Sequence, residues 1–243
     1  MTNEKFTVKF AETDEEKRKT YEMRYRDMLK EYRPEIEKAD GLDVTPCDRY
    51  AKHIICIDNE TGDVVGCYRM ITDELLPKGE HFVCEEEFDI SAVKATGERI
   101  AEFSRAVVKK EYRNSIVLML LLRFIVRYVR EENIRFAIGE ASFAGVDKHA
   151  IKNELSYLAH YHASQEIVVS SLDQEQIEIV DKEKLDVAQI KRNLPPLIRA
   201  YIGFGAKTSK DSFTDWEFGS VDVFILLDSK AYNAAYINRL LRL

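Results

Sequence analysis

Glu102-Phe103-Ser104-Arg105 places a carboxylate, a hydroxyl and a guanidinium within four consecutive positions. Side chains alternate along a strand, so Glu102 and Ser104 share one face and Arg105 points away. A β-bulge would bring Glu102 and Arg105 to one side, and bulges gather beside active sites. A carboxylate held there can take a proton from an attacking nucleophile. A guanidinium can fork onto a substrate carboxylate. An ordinary ion pair fits the same spacing.

Other groups are less specific. Asp43 and Asp48 lie in an irregular stretch before His53, and turn chemistry accounts for both acids equally well. The turn Glu111-Tyr112-Arg113-Asn114-Ser115 leads into a helix, whose free N–H groups can hold an anion or a thioester carbonyl. It has no glycine, so the Gly-rich phosphate cradle is missing. His160 and His162 fall on different faces of a helix, with no acidic or cysteine partner at ligand spacing. No metal site is expected. No G-x-S-x-G, nucleotide loop or kinase signature occurs.

The elements that must position these groups are legible in outline. Phe6–Phe10 alternates as a strand. Thr13 or Asp14 caps a helix to about Glu31, with the stripe Tyr21, Tyr25, Met28, Leu29 and Tyr32 and with Arg24 at its edge. His53–Ile57 and Val64–Ile71 form a hairpin. The strand Glu98–Val108 carries the first cluster. A helix from Asn114 or Ser115 to about Glu132 and a strand Ile134–Ile138 complete a βαβ unit. Beyond it the pattern predicts a helix Asp147–Tyr161, a strand pair within Glu166–Val180, and a helix from Asn193-Leu194-Pro195-Pro196 to Phe204. A strand Val221–Leu227 and a helix Ala231–Leu243 close the chain. The acidic run Glu85-Glu86-Glu87 reads as a solvated loop.

The 243 residues suit one domain, 1–243. A net charge of −7 argues against a nucleic-acid partner. Cys47, Cys56, Cys67 and Cys84 include no C-x-x-C pair and read as reduced core thiols. The apolar run Ile116–Val129 contains Arg123 and Arg127 and is too short to span a bilayer. The polar, acidic start of the chain does not read as a signal peptide, so a cytoplasmic protein is expected.

Read together, several segments resemble a family. They are Met23-Arg24-Tyr25-Arg26, Asp43 to Ile57, Val65-Gly66-Cys67-Tyr68-Arg69, Glu102 to Arg113, Ala141 to Asp147 and Leu155 to His162. Leu194-Pro195-Pro196-Leu197-Ile198-Arg199-Ala200-Tyr201-Ile202 with Gly205-Ala206-Lys207 is the last. In this order they resemble the bacterial N-acyltransferases that make lyso-ornithine lipid and related N-acyl amino acids, distant relatives of acyl-homoserine lactone synthases.

The resemblance implies an α/β, GNAT-like three-layer αβα fold with a mixed, splayed central sheet. It implies no tightly bound cofactor. The co-substrate would be the acyl-phosphopantetheine of acyl carrier protein, bearing a 3-hydroxy fatty acyl group, or acyl-CoA. The acceptor would be the amine of an amino acid such as ornithine or glycine. Contact with the inner membrane would be peripheral, through the product. By position Arg24, Asp43, Asp48, Arg69, Glu102 and Arg105 match charged residues around the synthases' active site. Met28 stands where those synthases prefer Phe, which argues against a lactone product.

On this reading Glu102 is the general base, with Ser104 and Arg105 beside it. Arg24 or Arg105 grips the acceptor carboxylate. Asp43 or Asp48 reads a second amine or, for glycine, orders the two arginines. N–H groups at the bulge or near Arg113–Ser115 hold the oxyanion. Phe103, Leu118, Leu122 and Phe143 line the acyl path, and Ser142 joins the substrate-binding set. Lys109, Lys110 and Arg113, or Lys191, Arg192 and Arg199, dock an acidic carrier protein. Two alternatives stay open: a GNAT enzyme using acyl-CoA and another amine, and a non-catalytic module that binds acyl groups or carrier protein.

Overall fold

The computed structural model describes residues 4–242. Its strands are β1 (Phe6–Phe10), β2 (Lys52–Asp58), β3 (Val64–Thr72), β4 (Phe88–Asp89), β5 (Ile100–Val108), β6 (Phe136–Ala144), β7 (Ser170–Ser171), β8 (Lys207–Thr208), β9 (Phe213–Asp215) and β10 (Ser220–Asp228). Its α-helices are α1 (Asp14–Arg24), α2 (Lys30–Tyr32), α3 (Ser91–Lys94), α4 (Val117–Glu131), α5 (Lys152–Tyr161), α6 (Val187–Asn193), α7 (Pro196–Phe204) and α8 (Ala234–Leu241). The chain divides into two compact units. One comprises residues up to Glu80, Ala101–Asn133 and those from Asn238 onward; the other comprises His81–Ile100 and Ile134–Ile237.

In the first unit, β1, β2, β3 and β5 pair antiparallel in that order. Helix α1 begins where Thr13 Oγ1 accepts the Glu16 N–H at 3.1 Å and the Glu16 carboxylate accepts the Thr13 N–H at 3.2 Å. This reciprocal cap, with Asp14, Glu15 and Glu16 at the positive end of the helix dipole, fixes the start expected from sequence. After Arg24 the helix widens into a π-helical turn over Tyr25–Leu29 before α2. Such turns often mark functional sites, and hydrophobic periodicity gave no sign of this one. All nine residues of β3 are buried, so the strand is covered on both faces. A Cβ on Gly66 would lie 2.7 Å from Val117 Cγ1 and 2.9 Å from Leu121 Cδ1. Glycine therefore lets α4 sit directly on one face of β3, while the other face carries Arg69 toward α1.

In the second unit, β6 and β10 pair over nine residues, with β8 and β9 along β10. Ala141, Phe143, Val221, Val223 and Ile225 join Leu155, Leu158, Ile190, Leu194 and Ile198 in one apolar core. Gly205, at φ 93°, ends α7 in the left-handed region, and a Cβ there would meet Asn233 N at 2.9 Å.

Several expectations are corrected here. The strand expected at Ile134–Ile138 runs Phe136–Ala144 because β10 supplies a full-length partner. Helix α5 starts at Lys152, since Asp147 Oδ1 accepts the His149 N–H at 2.9 Å and holds a turn there. Within 166–180 only Ser170–Ser171 is a strand, paired to β4. The rest is pinned by side chains: Lys148 Nζ donates to Asp173 Oδ2 (2.6 Å) and to the carbonyls of Glu175 and Ser212. Helix α6 was not anticipated; Asp186 caps it by accepting the Gln189 N–H. Of the acidic run only Glu86 is exposed, and Glu87 turns its Oε2 inward. Cys56, Cys67 and Cys84 are buried free thiols and Cys47 is a half-buried one, as expected. No helix among the described residues is long and apolar enough to cross a membrane.

Candidate active site

The bulge anticipated in β5 is present. Ser104 pairs with Arg69 and Val107 with Cys67, so Arg105 and Ala106 together oppose Tyr68. Arg105 takes the extra residue's conformation, at φ 51°. A positive φ costs a non-glycine residue of order 1 kcal/mol, so the surroundings must enforce it. They do: Arg105 Nε donates to Asp43 Oδ2 at 3.2 Å, and Cys67 Sγ reaches the Arg105 carbonyl at 3.7 Å.

Asp43 belongs to a buried network around Arg24, which is 0% exposed. Arg24 Nε donates to Asp43 Oδ2 at 2.8 Å. Its Nη1 and Nη2 fork onto Asp48 Oδ1 and Oδ2 at 2.9 and 3.1 Å. The loop holding the two aspartates is itself capped. Thr45 N–H and Oγ1 both donate to Asp48 Oδ2, at 2.8 and 3.1 Å, and the Asp43 N–H reaches the Tyr21 carbonyl of α1 at 3.1 Å. Burial works against ionisation of Asp48, but Arg24's hydrogen bonds override it and hold the carboxyl at about 2. Asp43 is likewise held low, by Arg24 and then Arg105 against the cost of burial.

Arg69, 1% exposed, ties this network to the bulged strand. Its Nε donates to Ser104 Oγ at 2.9 Å and its Nη1 to Thr45 Oγ1 at 2.8 Å. Its Nη2 is buried with no hydrogen-bond partner. Burial and then the nearby Arg105 lower the guanidinium's pKa. His53, paired opposite Arg69, lies 3.2 Å through Nε2 from the Tyr21 hydroxyl, and burial lowers its pKa to about 4. It is a neutral imidazole at pH 7.

Glu102 is 0% exposed, opposite Ile71 in the β3–β5 ladder, and shares a face with Ser104. Phe103 and Leu122 are buried, and Leu118 is half-buried on α4. Arg113 donates to the Val108 and Asp27 carbonyls and pairs with Glu31 at 2.9 Å, tying the π-helical segment to the end of β5. Helix α4 starts at Val117, later than expected, because Ser115 Oγ donates to the Tyr112 carbonyl and the chain makes a 3₁₀ turn first. Lys109 pairs with Asp63 at 3.3 Å. In the second unit, Ser142 sits on β6 opposite Asp222, and Phe143 packs in the apolar core. Arg199 donates to the Arg192 and Leu194 carbonyls, and Arg192 to Gln189.

The structure thus brings Arg24, Asp43, Asp48, Arg69, Ser104 and Arg105 into one connected network, whose Ser104 and Arg105 lie on the strand that carries Glu102. Sequence reasoning missed Thr45 and Tyr21, which hold it together. The Thr45-Pro46-Cys47-Asp48 spacing, a threonine with an acid three residues on, was the available signal for Thr45.

The sequence profile of the Acetyltransferase (GNAT) domain matches residues 23–123, the stretch that holds this network. The L-ornithine N(alpha)-acyltransferase of Rhodobacter capsulatus is 27% identical over 235 residues, 93% of this chain and 91% of its own. The L-ornithine N(alpha)-acyltransferase of Brucella abortus is 28% identical over 230 residues, 89% of this chain and 82% of its own. Among solved structures, the CoA-dependent acyl-homoserine lactone synthase MesI aligns with TM-score 0.52 at 13% identity, covering 97% of this chain and 94% of that one. The AHL synthase LasI aligns with TM-score 0.50 at 12% identity, covering 96% and 94%. At such identities the structural likeness speaks to fold. Taken with the domain match and a sequence likeness over about nine-tenths of the chain, it makes this protein an acyltransferase on a GNAT-like α/β fold.

Proposed function

We propose that the protein, as one acyltransferase domain over 1–243, moves a 3-hydroxy fatty acyl group from acyl carrier protein to the amine of an amino acid. Likeness over nine-tenths of the chain to L-ornithine N(alpha)-acyltransferases favours ornithine as acceptor and an N-acyl amino acid, a lyso-aminolipid, as product. The product is amphiphilic, so a cytoplasmic enzyme would hand it to the membrane surface.

The amine nitrogen attacks the thioester carbonyl carbon, forming C–N. The tetrahedral intermediate then expels the pantetheine sulfur, breaking C–S. Glu102 takes the ammonium's proton, directly or through a water, and the departing thiolate recovers one. The observation that carries this reading is the bulge: a buried carboxylate on a strand whose irregular geometry is clamped by Arg105–Asp43–Arg24–Asp48. Backbone N–H groups freed at the bulge serve the oxyanion.

The geometry also redistributes the roles. Arg24 has no exposed surface and spends its nitrogens on Asp43 and Asp48, so it is a positioning residue. Asp43 faces Arg24, Arg105 and, at 3.8 Å, Lys38, and Asp48 is spent on Arg24 and Thr45, so neither is assigned to a second amine. Arg105, whose side chain keeps 24% of its surface exposed while its Nε holds Asp43, is assigned to the acceptor's carboxylate, and Arg69, 1% exposed, is a second positioning residue.

The test is thiol release from acyl carrier protein and from acyl-CoA, with each amino acid in turn and mass spectra of the products. Ornithine-dependent release, faster from the carrier protein, is expected. Glu102→Gln should lower kcat by roughly 10²–10⁴ with little change in Tm. No amino-acid-dependent release from either donor, or a Glu102→Gln enzyme within a few-fold of wild type, overturns the reading.

A further inference from the structure

A second, largely buried cluster lies wholly within the second unit. Carboxylate oxygens of Glu87, Asp215 and Asp222 all lie within 4.8 Å of one another. Three separate elements deliver them. Glu87 follows a 3₁₀ turn at Val83–Glu86 and precedes β4. Asp215 ends β9. Asp222 lies on β10, which pairs with β9 at Asp215↔Ser220 and Asp222↔Phe213.

These groups are anchored as ligands are. Ser220 Oγ donates to Asp222 Oδ2 at 2.9 Å, and the Phe218 N–H donates to Asp215 Oδ1 at 2.8 Å. The Glu87 N–H is spent on the Cys84 carbonyl, and its own carbonyl accepts the Leu172 N–H, which fixes the backbone on both sides of the side chain. That side chain is buried, and its Oε2 receives no hydrogen bond. A buried, unmatched carboxylate oxygen aimed at two further carboxylates is a costly arrangement. The charges acting on Glu87 are themselves carboxylates, Glu140 foremost, then Asp222 and Asp215.

We propose that Glu87, Asp215 and Asp222 bind one oxygen-seeking divalent cation of calcium size. Oxygens no more than 4.8 Å apart fit inside one coordination sphere of Ca–O bonds of about 2.4 Å, and calcium takes several carboxylates from one protein in flexible geometry. A magnesium ion dehydrates reluctantly and is ordinarily held by one or two carboxylates with several waters kept, so three converging carboxylates suit it less well. A double positive charge also offsets three carboxylates better than a single ammonium does. Binding here would staple β4 to the β9–β10 hairpin, and it stands apart from the acyl-transfer reading.

Trp216, the chain's sole tryptophan, adjoins Asp215 and is 69% exposed, so it is a built-in antenna. Chelator-treated full-length protein is titrated with Tb³⁺ under tryptophan excitation. Sensitised emission saturating at one equivalent is expected, reversed by Ca²⁺ and much less by Mg²⁺. Ca²⁺ alone should raise Tm. Glu87→Gln should weaken Ca²⁺ binding about tenfold or more. Asp222→Asn gives an independent second variant, and circular dichroism checks that both fold. Trp216→Phe should keep the Ca²⁺ shift in Tm and lose the emission. Wild type with neither emission nor a Tm shift at millimolar Ca²⁺ overturns the proposal, as does a Glu87→Gln protein that folds and binds Ca²⁺ as wild type does. Stabilisation by ornithine, lost in Glu87→Gln, with no effect of Ca²⁺, also overturns it and makes the cluster an ammonium pocket.

Discussion

The two units bury charge by opposite rules. In the first, Arg24, Arg69 and Arg105 interleave with Asp43 and Asp48, and every guanidinium nitrogen of Arg24 is spent on a carboxylate. In the second, Glu87, Asp215 and Asp222 face one another, with Glu140 also acting on Glu87. Burial and these like charges push the Glu87 carboxyl up to about 10. The difference teaches what each cluster is for. A closed network of opposite charges has few atoms left for a ligand, so it holds geometry, here the bulge beside Glu102. A cluster of one sign is incomplete by itself and is finished by a proton or by a cation.

Breaking the first cluster should cost most. Arg24→Met leaves Asp43 and Asp48 buried without their main partner, and unfolding in urea should show a loss of about 3–5 kcal/mol. Arg24→Lys keeps the charge but loses the fork onto Asp48 and should fall between wild type and Arg24→Met. Adding Asp48→Asn to Arg24→Met should recover part of the loss.

Acid sharpens the comparison next. His53 has a folded pKa of about 4, below the ordinary value near 6.5, so the unfolded chain binds the proton first. Its contribution to stability is present above about pH 6.5 and is lost as pH falls toward 4. The size is on the order of 3 kcal/mol, and His53→Phe should flatten that part of the stability–pH curve. Asp48, held at about 2, contributes stability that is complete above its unfolded pKa near 3.9 and is lost as pH falls toward 2.

The like-charged cluster should respond the other way. In the presence of chelator, Glu87→Gln removes a carboxyl that is costly to bury and should raise stability, by roughly 1–3 kcal/mol. A loss of comparable size would mean that Glu87 holds structure in its own right.

Charge at the end of β5 should matter least for stability. Reversing Lys109 and Lys110 to Glu should lower stability by about 1 kcal/mol, because Lys109 is half-buried and pairs with Asp63. It should raise KM for an acyl-carrier-protein donor while leaving a short acyl-pantetheine donor untouched, since rim charges act on encounter. The defect should shrink with salt. Because Lys109 already pairs with Asp63 and Arg113 with Glu31, the effect should be smaller than three free cations would give.

What the sequence determined by itself is mostly local. The Thr13–Glu16 cap, the β2–β3 turn and the Pro195-Pro196 helix start each arise from residues within a few positions of one another, and the strand–helix–strand order of β5, α4 and β6 from three such local patterns in succession. The bulge in β5 was legible because Glu102 and Arg105 need it to share a side, and the order of the segments carried the family resemblance. Tertiary structure decided which charges meet. Arg24 touches Asp43 and Asp48 because the loop after α2 folds back onto α1, and nothing in either segment's own pattern names that partner. The π-helical turn after Arg24 was hidden for a related reason, since the stripe Tyr21, Tyr25, Met28, Leu29 suits an α-helix just as well. Glu87 read as solvent-facing because its neighbours in sequence are Glu85 and Glu86. It turned inward because Phe88 beside it is fully buried and draws the chain under β10. Hydrophobic pattern sets which segments become elements, whereas the pairing of buried charge depends on partners distant in sequence and settles only when those elements pack.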